Sequence, residues 1–216
     1  MAWNYQITDS YGALTQAQQT ENAEQFATEM LAKGWTLEAI CGALGNMQYE
    51  GLLNPGQCEN GWGVPASPTD FYYAGGLGLI QWSNGYGGWP NCLLVYANET
   101  GRDWWNGNTQ CNLIDLADDN SVTHGYWGWI PRGPWTNVTT MRQFSRWTGT
   151  VADAASCWCW CCEYPANIES VIPVRQVAAT DWYTYFEGHP PAPGRLSTTL
   201  LAILARKRGN PIWWRW

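Results

Sequence analysis

An α+β domain, mostly helical with a small antiparallel sheet or hairpin inserted after the second helix, is the fold class the sequence predicts. Capped stretches with apolar residues three and four apart recur along the chain, the signature of amphipathic helices. Between Gly51 and Ser83 that periodicity stops, and Gly, Pro, Asn and Asp punctuate short segments. Length sets the scale: 216 residues with 45% hydrophobic content suffice for one domain with a core and exclude a disordered chain.

Residues 1–14 read as an irregular lead-in. Thr15 and Gln18 have the spacing of a capping box and open a helix with Ala23, Phe26, Ala27, Met30 and Leu31 on one face. Lys33-Gly34 closes it. Thr36 caps a second helix carrying Leu37, Ile40, Ala43, Leu44 and Met47, which runs out near Gln48–Gly51. Leu77-Gly78-Leu79-Ile80-Gln81-Trp82 is the best strand candidate, as one arm of the small sheet. Helices are expected around Cys92–Glu99 and Gln110–Asp118, then over Thr140–Thr148, Val151–Glu163 and Val171–Phe186, with a Trp- and Gly-rich loop from Gly125 to Pro134. The layout is a lead-in (1–14), a main domain (15–188), then a Pro-rich linker and a cationic, Trp-rich tail (189–216). Leu196 to Ala205 is expected to form a short apolar helix within that tail.

Charge narrows the partners. The net charge is −7, but residues 1–194 hold six basic and 18 acidic side chains, while the tail has five bases and no acid. An acidic body lacks the basic face that phosphate binding needs, so nucleic acid is not expected as a partner. The 17 Trp and 11 Tyr suit flat, uncharged partners such as sugar rings, although any one Trp is better read as core. The tail suits either a membrane surface or docking to a larger assembly. Met1–Tyr5 has neither a basic start nor an apolar run, so export is expected to depend on another component.

Of eight cysteines, Cys41, Cys58, Cys92 and Cys111 are scattered, and Cys157, Cys159, Cys161 and Cys162 form one run. That run has no partner knuckle, and His124 and His189 lie far off, so reduced, buried thiols are expected and neither metal nor cofactor.

Glu50 is the candidate for chemistry. It follows a helix, near the negative end of the dipole, with Leu52, Leu53 and Trp82 available to exclude water. Both effects favour the neutral acid, the form that can protonate the leaving oxygen of a glycosidic bond.

The segment Ala39–Pro55, with Gly42-Ala43-Leu44-Gly45-Asn46-Met47-Gln48 ahead of Glu50 and Asn54-Pro55 after it, resembles the opening motif of the bacteriophage tail lysozymes. Gly76-Leu77-Gly78-Leu79-Ile80-Gln81-Trp82 is similar to their second motif. Glu163-Tyr164-Pro165-Ala166-Asn167, Arg175 and Trp182-Tyr183 give a weaker third match. The resemblance implies a lysozyme-like fold in which the small sheet walls the cleft, and cleavage of the β-1,4 bond between N-acetylmuramic acid and N-acetylglucosamine in peptidoglycan. It makes Glu50 the general acid and Gln81 either a hydrogen-bonding partner of substrate or water or a structural bridge between strand and helix. Gly78 would let the glycan approach the backbone, with Trp82 beside it. It places the protein in the phage tail, with other tail proteins as partners. A free endolysin, held in the host cytoplasm until a holin releases it, is the alternative, as is a lytic transglycosylase.

A second carboxylate is expected at Asp70, ahead of the glycine-bearing strand, with Glu59 the other candidate. Glu163 and Arg175 are expected to pair and tie the last helices together. Gly51 departs from the family pattern, which has a small hydroxyl residue there. No His-Asp-His zinc pattern is present, so no metallopeptidase activity is expected. Two further readings compete: a Cys41–His124 peptidase, and a non-catalytic wall-binding component using the Trp-rich loops at 104–105 and 127–135.

Overall fold

The computed structural model of the chain describes residues 2–83 and 88–191. The predicted 195–216 tail, with its short apolar helix, lies outside them. Eight α-helices follow in order among the described residues: α1 (Gln16–Ala32), α2 (Leu37–Glu50), α3 (Cys92–Glu99), α4 (Gly107–Asp115), α5 (Asn120–Thr123), α6 (Met141–Phe144), α7 (Val151–Trp158) and α8 (Ile168–Gly188). A 3-10 turn spans Gly133–Trp135, and a π turn, Cys159–Glu163, extends α7.

The caps act where the residue types place them. Thr15 and Gln18 exchange bonds in a full capping box, and Thr36 accepts from the Ala39 N–H. Asn91, Asn106, Asp119, Thr140 and Thr150 cap the next helices in the same way.

α2 is the central helix, buried over nine consecutive residues from Ala39 to Met47. Two glycines one turn apart allow this. A Cβ on Gly42 would lie 2.7 Å from Ala154 Cβ in α7, and a Cβ on Gly45 would lie 2.6 Å from the Arg175 carbonyl oxygen in α8. α7 and α8 therefore reach the α2 backbone itself. Around this trio Trp35, Trp129, Phe144 and Trp158 interlock, with Trp129 stacked on Phe144 at 5.0 Å.

The predicted sheet is not formed, and the fold is helical rather than α+β. Isolated bridges, Thr8 with Gln57, Cys58 with Leu77 and Leu77 with Trp82, are the β-type pairing among the described residues. The expected strand Leu77–Trp82 curls into a closed turn, with Leu77 and Trp82 exchanging both backbone bonds at 3.0 and 2.9 Å. The reason is local. Gly78 (φ +73°) and Gln81 (φ +53°) are left-handed, which no strand tolerates. The buried Gln110 side chain accepts the Leu79 N–H at 2.8 Å and donates to the carbonyls of Pro55 and Trp104, replacing strand partners by one amide.

The lead-in is irregular and firmly docked. Gln6 exchanges bonds with the Asn54 side chain, Asn4 with that of Asn22, and Thr8 with the backbone of Gly56 and Cys58. Asn54 is 1% exposed, so the Asn-Pro dipeptide after Glu50 anchors the amino-terminal segment.

Candidate active site

Glu50 is the last residue of α2, and Gly51 caps it by donating to the Met47 carbonyl. Leu52 and Leu53 follow with φ of +49° and +57°, a left-handed pair that turns the chain sharply back under the helix. Such backbone costs about 1–2 kcal/mol per residue and persists only where its surroundings hold it. Leu53, 1% exposed, is fixed in the core, and its carbonyl accepts from Asn22 at 2.8 Å.

One turn back from Glu50 lies Asn46, fully buried, which donates to the Gly42 and Ala155 carbonyls at 2.8 and 3.0 Å and so joins α2 to α7. Its free oxygen accepts from Arg175 of α8 at 3.1 Å. The Arg175 guanidinium then divides between two acids: Nη2 donates to Glu50 Oε1 and Nη1 to Glu163 Oε2. The second Glu163 oxygen accepts from Trp158 Nε1 at 2.7 Å. The π turn makes this reach possible. Tyr164 N–H bonds back to the Cys159 carbonyl, and the wider turn swings Glu163 inward between α2 and α8.

Exposure orders the three charged groups. Side-chain exposure is 22% for Glu50, against 5% for Arg175 and 4% for Glu163. Burial pushes the Glu163 carboxyl up to about 8, and the Glu50 charge adds to it, while Arg175 and the Trp158 N–H act the other way. Burial alone would weaken the Arg175 charge, but Glu163 and Glu50 more than offset this and hold it protonated. Cys159 and Cys162 line the same space, and burial together with the Glu163 charge keeps both thiols neutral. The described cysteines are all free thiols, and among the described residues no cluster of His, Cys, Asp or Glu is placed to hold a metal ion.

The turn carrying Gly78, Gln81 and Trp82 lies against the residue after Glu50: a Cβ on Gly51 would sit 2.6 Å from the Gly78 carbonyl oxygen. Gly78 is itself covered by Gln110, against which its own Cβ would lie at 2.5 Å. Gln81 donates to the Gly78 carbonyl at 2.9 Å, while its Oε1 and the Trp82 indole N–H are buried without a partner. Trp82 packs edge-on against Trp127 at 5.5 Å. Tyr11 of the lead-in is half exposed, and its phenol is raised by burial and by the charges of Glu50 and Glu59.

The Gly78–Trp82 turn thus lies next to Gly51 at the end of α2, with Gly78 and Trp82 buried in it. Asp70 instead accepts from the Ala66 N–H within its own loop, and Glu59 accepts from the Gly76 N–H. The carboxyl beside Glu50 is Glu163. The expected Glu163–Arg175 pair forms, and Glu50 is its third member. Cys41 is fully buried in mid-α2, and His124 pairs with Glu99 at the surface, so these two do not form a Cys–His pair. Trp104 and Trp129 are buried, and Trp105, Trp127 and Trp135 pack against the core. No helix among the described residues is long and apolar enough to cross a membrane.

Residues 21–186 match the family model described as phage tail lysozyme. Morphogenesis protein 1 of Bacillus phage B103 is 28% identical over 177 residues, which covers 81% of this chain and 42% of that protein.

Proposed function

The chain belongs to the phage tail lysozyme family, and from that premise we propose that it hydrolyses peptidoglycan, cutting the β-1,4 bond between N-acetylmuramic acid and N-acetylglucosamine with Glu50 as general acid. One observation carries the residue assignment. Of three ionisable side chains locked together between α2, the π turn and α8, Glu50 is the one that opens to solvent. A buried, hydrogen-bonded network behind a single exposed carboxyl holds that carboxyl in place for proton transfer.

The glycan lies, in this reading, across the end of α2, beside the Gly78–Trp82 turn. Gln81 Oε1 is buried without a partner beside Gly76, so Gln81 supports the turn from inside. Glu50 protonates the leaving glycosidic oxygen as the bond to the anomeric carbon breaks, and water adds to that carbon. Likeness to a phage morphogenesis protein supports a place in the virion tail, where the enzyme opens the wall for genome entry.

Mass spectrometry of fragments released from purified peptidoglycan tests this. Wild type should release glycan ending in reducing N-acetylmuramic acid, and Glu50→Gln should slow release by about 10²–10⁴-fold, the usual weight of a general acid. Anhydro-muramic ends would assign transglycosylation by the same acid. Cut stem peptides with intact glycan would overturn the reading.

A further inference from the structure

We propose that Glu163 is a positioning residue for catalysis: it exchanges a proton with Glu50 inside the Arg175 clamp, so that the acid of this site is a carboxyl pair and not a lone glutamate. The inference rests on the reading of Glu50 as general acid and adds what sets its protonation.

A lone Glu50 facing Arg175 would pose a problem. A guanidinium at hydrogen-bonding distance favours the carboxylate, which has no proton to give. The structure supplies a second carboxyl on the same guanidinium, each acid bound by its own terminal nitrogen. Two acids and one fixed cation in a nearly buried space hold one proton between them, because two adjacent anions are not offset by a single charge. In the resting site the proton is on the more deeply buried Glu163, whose carboxyl is pushed up by that burial.

The donors favour exchange when substrate arrives. Among the described residues Glu163 has two N–H donors, Trp158 Nε1 and Arg175 Nη1, whereas Glu50, partly open to solvent water, has Arg175 Nη2. A glycan seated at the end of α2 removes that water. The negative charge is then better held on Glu163, and the proton crosses from the Glu163 carboxyl to a Glu50 oxygen with no change in the total. Glu50 donates it to the leaving oxygen. The proton released when water, or a substrate hydroxyl, adds to the anomeric carbon restores the pair. Among the described residues the pair is faced by Arg175 of α8 and by neutral Cys159 and Cys162 of the π turn, with the uncharged Asn46 below; the charge of Glu50 also acts on Tyr11 of the lead-in.

The test is the pH dependence of wall cleavage by Glu163→Gln and Glu163→Asp, with folding checked by circular dichroism. Gln copies the neutral resting shape and leaves Glu50 alone with Arg175. Glu163→Gln should therefore lose at least about tenfold in kcat near pH 7 with KM unchanged, and the alkaline limb of kcat/KM should move at least one unit toward acid. Asp, which keeps a titrating carboxyl, should recover part of the rate and of the limb. A Glu163→Gln protein with wild-type rate and limb overturns the proposal, and so does one that loses rate with the limb unmoved. Either result leaves the Glu50 assignment standing if Glu50→Gln is inactive. Wild-type rates from both glutamine variants would sink the assignment of Glu50 itself.

Discussion

Gly51 shows how one residue departs from a family pattern for a steric reason. The small hydroxyl residue that the resemblance leads one to expect has no room, because the Gly78 carbonyl lies where its Cβ would go. Both partners are backbone, so neither yields as a side chain would. Gly51→Ser is accordingly expected to destabilise by about 1–3 kcal/mol, an overpacking cost, and to push the Gln81 turn away from Glu50. Thermal unfolding and glycan cleavage measured on the same sample check this, and an unchanged melting temperature would show that the turn relocates freely. Arg175 is the complementary case, a residue that sequence reasoning saw half of. Its pairing with Glu163 follows from two opposite charges flanking the end of one helix and the start of the next. The third partner, Glu50, lies 125 positions away in the chain, and no local pattern reports it.

Among the elements, the α2 glycines govern the site from a distance. A methyl group at position 45 would meet the Arg175 carbonyl oxygen at 2.6 Å and the Ala179 nitrogen at 2.7 Å, both on the α8 backbone. Gly45→Ala should force α8 outward, cost about 1–3 kcal/mol and lower turnover together with stability, because Arg175 rides on the displaced turn. Unaltered turnover in a destabilised variant would uncouple α8 from the site. The helices and their caps were legible because both are local: a Thr directly ahead of a stretch with helical apolar spacing is enough to start α1 or α2. The failures are where side chains replace backbone partners. Leu77–Trp82 has a strand's apolar run, yet Gln110, from a helix read only for its periodicity, satisfies the backbone there and lets it curl. Leu52 and Leu53 give no sign in the sequence of a left-handed bend, since that bend is imposed by Asn22 and the core. The lead-in has no periodicity to read, and asparagine and glutamine amides fasten it.

For the molecule as a whole, the buried acid ties stability to pH. The Glu163 carboxyl sits near 8 when folded, against about 4.3 for a free glutamate, so folding favours its protonated form. That contribution is complete below about pH 4 and is lost as pH rises through about 8, with a magnitude on the order of a few kcal/mol. Urea unfolding should show the wild type less stable at pH 8.5 than at pH 5, and Glu163→Gln should flatten the difference. An equal slope in both would place the titrating group elsewhere. The same architecture bears on where substitutions are tolerated. Asn46, Glu50, Trp158, Glu163 and Arg175 all sit on α2, α8 and the α7–π segment, held by glycine contacts that leave little freedom to drift. The stretch between Glu59 and Gly76 carries none of them. Substitutions within that stretch are therefore expected to leave the Glu50–Arg175–Glu163 cluster in place, whatever they change at the surface of the loop.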